Sequence, residues 1–192
     1  MFLNQKEIVI FDTEYTCWEG SMERKWSGPN EYREIVQIGG IVVDTETLTE
    51  TDSFIIFIKP TLNPTLSDYF IKLTGITQAT VETEGVDFKT ALDRFLAWRK
   101  NRPSYSFGSD ERHFTENCEL LKLPYPELSD FYEVKDIFKK HGIPADEYQS
   151  GIILRAFGKE PIRRGHDALN DARSILDGLR ELKDKLEKEG KL

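Results

Sequence analysis

Strands come early in this chain and helices late, and that order is its strongest constraint on a fold. Three β-favouring runs fall within the first 58 residues: residues 7–11, residues 35–43 (IVQIGGIVV) and residues 53–58 (SFIIFI), the last stopping at Lys59-Pro60. Asp44-Thr45-Glu46-Thr47 lies between the second and third like a hairpin loop, which makes those two antiparallel neighbours. After Pro64 the pattern turns helical. LSDYFIKLTG ends at Gly75, a helix stop, and residues 87–100 put Phe88, Ala91, Leu92, Phe95 and Leu96 on one helical face. PSYSFG (103–108) reads as a short strand and is followed by a helix through Leu121. EVKDIFKKHG and EYQSGIILRAFG are short helical segments. Ala168, Ala172, Ile175, Leu176, Leu179, Leu182 and Leu186 then mark one long amphipathic helix. A β-α-β passage through residues 53–108 makes this an α/β domain with a mixed β-sheet flanked by helices. No Gly-, Ser- or Pro-rich linker divides it, so residues 1–192 are expected to form a single domain.

Bulk properties exclude several classes. The N-terminus MFLNQKEIVIFD lacks a basic region followed by a long apolar stretch, so it is not read as a secretory signal. No apolar run reaches the roughly 18 residues that span a bilayer. Cys17 and Cys118 have no CxxC companions, which argues against structural zinc and for reduced thiols in a cytoplasmic protein. A net charge of −8 argues against a broad basic surface for duplex binding. It is compatible with a small acidic site whose charge bound divalent cations offset.

The chemistry concentrates in three places. The first run leads into Asp12 and Glu14, two positions apart and so projecting from one face of a strand. Two such carboxylates repel and raise each other's pKa unless a cation lies between them, and oxygen-only ligation suits Mg²⁺ or Mn²⁺. Next, FGSDERHF (107–114) delivers Asp110 at a strand's C-terminal edge and a helix's start, where a ligand role is open but, taken alone, the residue reads as a helix cap. Finally, RRGHDALNDA (163–172) places His166 and Asp171 five apart, a turn of about 500° that one continuous helix would not stack on one face. His166 therefore belongs on a loop, Asp167 at the N-cap and Asp171 in the first turns, near the positive end of the helix dipole. Locally, His166 is equally readable as a plain loop histidine.

DxE, then Asp, then HxxxxD together resemble the DEDDh 3′–5′ exonucleases, the family of the proofreading exonuclease subunit and RNase T. The likeness runs from Glu7 to about Leu182 and includes EIVQIGGIVVD and LTGIT (73–77). It is nearest the Eri1-like group, in the spacing of FTENC and LPYP after the second-motif aspartate. The resemblance implies a ribonuclease H-like fold and two divalent metal ions, Mg²⁺ or Mn²⁺, held by Asp12, Glu14, Asp110 and Asp171, with His166 as general base. The implied substrate is a single-stranded RNA or DNA 3′ end, tilted towards RNA, and the product a nucleoside monophosphate. Thr13, Leu73, Ile76 and His166 would meet the terminal nucleotide, with core packing an equal reading for Leu73 and Ile76. One departure stands out: relatives place the second-motif aspartate three residues after the glycine, where this chain has Glu111. Asp110 fits the onward spacing with a one-residue deletion, and Glu111 stays open as a substitute ligand.

Other residues carry two readings each. Arg163 and Arg164 could meet phosphates or form a solvated basic pair. Trp18 and Trp26, in the long polar stretch 17–34, are candidate base-stacking groups. Phe107, Phe114 and Trp98 read as core. FDTEYT also resembles the nucleophile motif of haloacid-dehalogenase-like phosphatases, with Asp12 as nucleophile, but Glu14 stands where that family uses Asp and HxxxxD is left unexplained. A catalytically silent nucleic-acid-binding module of the same fold is the non-enzyme alternative.

Overall fold

A computed structural model describes residues 5–192; the part of the secretory-signal reading that rests on residues 1–4 lies outside the described residues. Strands β1 (Glu7–Tyr15), β2 (Ile35–Asp44) and β3 (Thr49–Phe57) form an antiparallel meander. β4 (Ser104–Ser106) and β5 (Phe131–Glu133) add in parallel on the other side of β1, giving the order β3-β2-β1-β4-β5. Helices α1 (Asp68–Thr74), α2 (Gln78–Glu84) and α3 (Phe88–Arg99) lie between β3 and β4, and α4 (Asp110–Leu120) between β4 and β5. α5 (Lys135–Lys140), 3-10 segments at Ala145–Glu147 and Ser150–Phe157, and α6 (Ala168–Lys188) complete the chain.

β1 is buried on both faces because apolar side chains alternate towards two different layers. Ile8 and Ile10 join Ile41 and Val43 of β2 against Ala172, Ile175 and Leu179 of α6. Val9 and Phe11 join Ile38 and Val42 against Phe88, Leu92 and Phe95 of α3 and Phe114 of α4. The Phe11 ring lies 5.2 Å from Phe95 and 5.8 Å from Phe114, so truncating it to alanine should cost about 3–5 kcal/mol. This period-two division decides the site: Asp12 and Glu14 continue the face of Ile8 and Ile10, towards α6.

The mixed sheet, the β2-β3 hairpin and α6 match the expectations from sequence. Three details differ. β3 starts at Thr49, four residues before the apolar run, because it is an edge strand whose polar ETDS half faces solvent. Segment 150–157 winds as a 3-10 helix rather than an α-helix. α2 and β5 were not anticipated; α2 is a polar seven-residue helix started by the Thr77 hydroxyl, which accepts from the Thr80 N–H. Phe107 and Phe114 are core residues as expected, and Trp98 stacks on Phe54 with its indole N–H on Asp52. Cys17 and Cys118 are buried free thiols. Among the described residues no helix is long and apolar enough to cross a membrane.

Candidate active site

The β1-β2 register sets the site. Opposite Asp12 stands Gly39, and opposite Glu14 stands Gln37. A side chain at Gly39 would collide with the backbone of Ala168 and Leu169, so the absent Cβ lets the start of α6 lie directly on the sheet. Gln37 secures it there, its Oε1 accepting the Ala168 N–H at 2.8 Å. Asp167 caps the helix by accepting from the Asn170 N–H, the N-cap role its position predicts. Asp171, one turn in, is thereby brought against the two β1 carboxylates. One carboxylate oxygen each from Asp12, Glu14 and Asp171 lies within 4.8 Å of the others, and all three residues are buried.

Asp110 opens α4 just beyond β4 and is also buried. Its carboxylate accepts from the Thr13 hydroxyl at 2.6 Å, so the residue between Asp12 and Glu14, pointing to the opposite side of the strand, orients the fourth acid. Glu111 is only half-buried and, unlike Asp110, does not line the cavity described below.

Burial pushes the Asp12 carboxyl well above the usual range, and Asp110, Asp171 and Glu14 push it further, against the Ser150 hydroxyl. Glu14 is also raised well above, by burial and then by Asp171, Asp110 and Asp167. Burial carries Asp171 up to about 7 despite the His166 N–H. Asp110 is raised less, because His113, Thr13 and Ser106 oppose its burial. The fold therefore holds four acids where none is comfortable as an anion. Asp171 Oδ1 is moreover buried with no hydrogen-bond partner. An all-oxygen donor set with an orphaned, buried acceptor fits a hard divalent cation.

His166 lies on the approach to α6 in the left-handed region, at φ 61°, a conformation uncommon for non-glycine residues and often stored at functional sites. Its backbone N–H donates to Asp171 Oδ2 at 3.1 Å. Burial and the Arg164 charge lower the imidazole pKa, favouring the neutral ring.

These groups line one cavity of about 580 Å³, together with Thr13, Leu73, Trp18, Trp26 and Tyr69. Ile76 does not line it; it is buried in an apolar cluster with Val36, Leu66 and Phe70. The two arginines are engaged elsewhere: Arg163 ion-pairs with Asp177 of α6, and Arg164 donates to the carbonyls of Lys72 and Leu73. Trp26 is held by an indole N–H bond to the Thr16 carbonyl and by the Arg33 guanidinium 5.0 Å from its ring. Reading the sequence did not single out Ser150, Gly151, Tyr69 or Gln37. A Cβ on Gly151 would come within 2.6 Å of Asp171 Oδ1, so that glycine keeps the acid's pocket open. No short motif marks these positions, although a glycine opposite a strand carboxylate is a signal that pairing the strands on paper could have revealed.

Comparison with known proteins agrees with this geometry. The exonuclease family RNase T matches residues 9–178. Human 3′–5′ exoribonuclease 1 is 29% identical over 182 residues, which cover 88% of this chain and 50% of that protein. The Schizosaccharomyces pombe 3′–5′ exonuclease eri1 is 33% identical over 169 residues, 81% of this chain and 54% of the relative. The chain thus spans about half the length of these relatives. Among solved structures, the nuclease domain of 3′hExo, a DEDDh family member bound to rAMP, superposes with a TM-score of 0.78 at 28% identity over 94% of both chains. A 3′-exonuclease in a structure of 3′-end-specific histone mRNA stem-loop recognition superposes at 0.77 with 27% identity, covering 93% of this chain and 82% of that one.

Proposed function

This chain belongs to the RNase T exonuclease family, in its DEDDh, Eri1-like branch, and from that premise we propose that it removes nucleoside monophosphates from the 3′ ends of single-stranded RNA. The observation that carries the reading is the buried cluster of Asp12, Glu14 and Asp171 with its unpartnered Asp171 Oδ1, reached through a cavity that also exposes His166. Asp12, Glu14, Asp171 and Asp110 would hold two divalent cations, Mg²⁺ or Mn²⁺. When bound, these would supply an activated water and charge stabilisation at the attacked phosphate.

The remaining work falls to the chain's own groups. Thr13 holds the Asp110 carboxylate in place through its hydroxyl. His166, neutral near pH 7 because its pKa is lowered, is free to take the proton of the attacking water. Its place on a loop tied to Asp171 by a single backbone bond lets it approach the phosphate while staying in register with the acids. Leu73, Tyr69 and Trp18 offer apolar and aromatic surface for the terminal base and its neighbour. Preference for RNA is supported by the exoribonuclease name of the human relative and the rAMP bound to 3′hExo. The buried free cysteines suit a reducing, cytoplasmic setting.

The test uses 5′-labelled RNA and DNA oligomers of one sequence, with free or blocked 3′ ends and with Mg²⁺, Mn²⁺ or chelator. Stepwise shortening of unblocked RNA that needs the cation is expected. Cleavage that ignores the 3′ block contradicts the reading, and binding without cleavage establishes the silent module. The phosphatase alternative, with Asp12 as nucleophile, is disfavoured by family membership and would return only with a trapped phospho-aspartate.

A further inference from the structure

Among the described residues, two buried side-chain polar atoms lack a partner, Asp171 Oδ1 and Gln37 Nε2. They are opposite in kind. Asp171 Oδ1 is an acceptor, which a cation satisfies. Gln37 Nε2 is a donor, which no cation can satisfy. Leaving a buried donor unpaired costs about 1–3 kcal/mol, so its retention in the core calls for a cause.

Its orientation is fixed. The Ala168 N–H can only donate, so the carboxamide oxygen of Gln37 must face α6, where it accepts at 2.8 Å, and the nitrogen must face away. A flipped amide would lose that bond and gain a clash of two donors. Across the antiparallel pair the partner of Gln37 is Glu14. Residues so paired project from the same face, with Cβ atoms roughly 4.5–5.5 Å apart. The Glu14 carboxylate accepts no hydrogen bond among the described residues, and only burial and neighbouring acids act on its charge. A donor without an acceptor thus stands opposite an acceptor without a donor, on one buried face.

We propose that Gln37 is a positioning residue of the cation site: with divalent cations bound, its Nε2 donates to the Glu14 carboxylate and fixes which oxygen faces them, while its Oε1 holds the start of α6 and so Asp171. This rests on the cation site proposed above. One carboxamide then ties a ligand from β1 to a ligand from α6. Gln37 does not line the cavity, so it acts through Glu14 and α6 and never on the substrate.

The experiment measures Mn²⁺ affinity by calorimetry in wild type, Gln37→Met, Glu14→Gln and the double variant, with melting temperatures taken without metal. Gln37→Met should lose about tenfold or more in affinity, the usual effect of removing an outer partner of a metal ligand. Once Glu14→Gln is present, the same change should cost clearly less, because only the hold of Oε1 on α6 is then left to lose. On ¹⁵N-labelled wild type, saturating Mg²⁺ should shift the Gln37 side-chain amide protons downfield and slow their exchange, a readout that needs no variant to fold. Wild-type Mn²⁺ affinity in Gln37→Met, or Gln37 amide resonances indifferent to Mg²⁺ while wild type binds it, overturns the proposal and leaves the cation site standing. Absence of Mn²⁺ binding by wild type overturns both.

Discussion

Two groups of buried carboxylate in this molecule are treated in opposite ways. Glu34, at the entrance to β2, is only 2% exposed, and its two oxygens accept from the backbone N–H groups of Thr61, Leu62 and Asn63 at 2.6–3.0 Å. It is a structural clasp that anchors the chain leaving β3. Asp12, Glu14 and Asp171 are comparably buried, but the fold surrounds them chiefly with one another, and the His166 N–H and the Ser150 hydroxyl are the few donors they meet. Buried acids supplied with donors are finished; buried acids deprived of them are set up to receive a cation. Burial alone does not separate a structural acid from a ligand, whereas the donor count around each oxygen does.

The contrast can be broken most forcefully at Asp12. Asp12→Asn should remove measurable 3′-end shortening in the labelled-oligomer assay, because the lost ligand serves the whole acidic set. Glu34→Gln should leave activity per folded molecule unchanged. Next in size is His166→Ala, expected to lower kcat by about 10²–10⁴ while calorimetry shows Mn²⁺ affinity within a few-fold of wild type. Trp18→Ala should raise KM for an oligomer with little change in kcat, by the roughly 1–3 kcal/mol of one stacked base. Smallest in activity, at no change, is the clasp itself: Glu34→Gln trades an acceptor for an amide facing N–H donors, so its effect falls on stability. It should lower stability by about 2–3 kcal/mol, or roughly 4–12 °C in melting temperature for a domain of this size.

Acidity sharpens the same distinction. Asp171 is raised from its ordinary value to about 7 in the metal-free fold. Between the two values the folded state holds a proton that the unfolded chain has released. The metal-free protein should therefore lose stability as pH rises from about 4 to about 7, the reverse of a salt-bridged aspartate. Cation binding must expel that proton, so Mn²⁺ affinity should fall as pH drops below about 7, with proton release visible as a buffer-dependent binding enthalpy.

Much of this was readable in advance, for definite reasons. Asp12 and Glu14 were legible because a strand's period of two fixes their common face. Asp167 and Asp171 were legible because a capped amphipathic helix has a definite first turn. The Asp110 position could be read only from spacing, and what makes it tell is tertiary, the Thr13 hydroxyl reaching it across 97 positions of sequence. Of the two readings open for Ile76, the structure shows core packing: after the turn at Gly75, with φ 81°, it lies in a buried apolar cluster. β5 is three residues long and exists only because β4 offers it an edge, so no local propensity announces it. Gln37 is one polar residue in an apolar strand, and only its register partner Glu14 and its bond to α6 give it a role.

The most direct test of the central claim is the melting temperature of wild type and Asp12→Asn at pH 7.5, each with and without Mn²⁺. If these acids are packed together to receive cations, removing one charge relieves repulsion. Asp12→Asn should then melt several degrees above wild type without metal and gain little on adding it, while wild type rises clearly with Mn²⁺. A variant that melts below metal-free wild type, together with a wild type indifferent to Mn²⁺, would make the cluster an ordinary structural one and contradict the account.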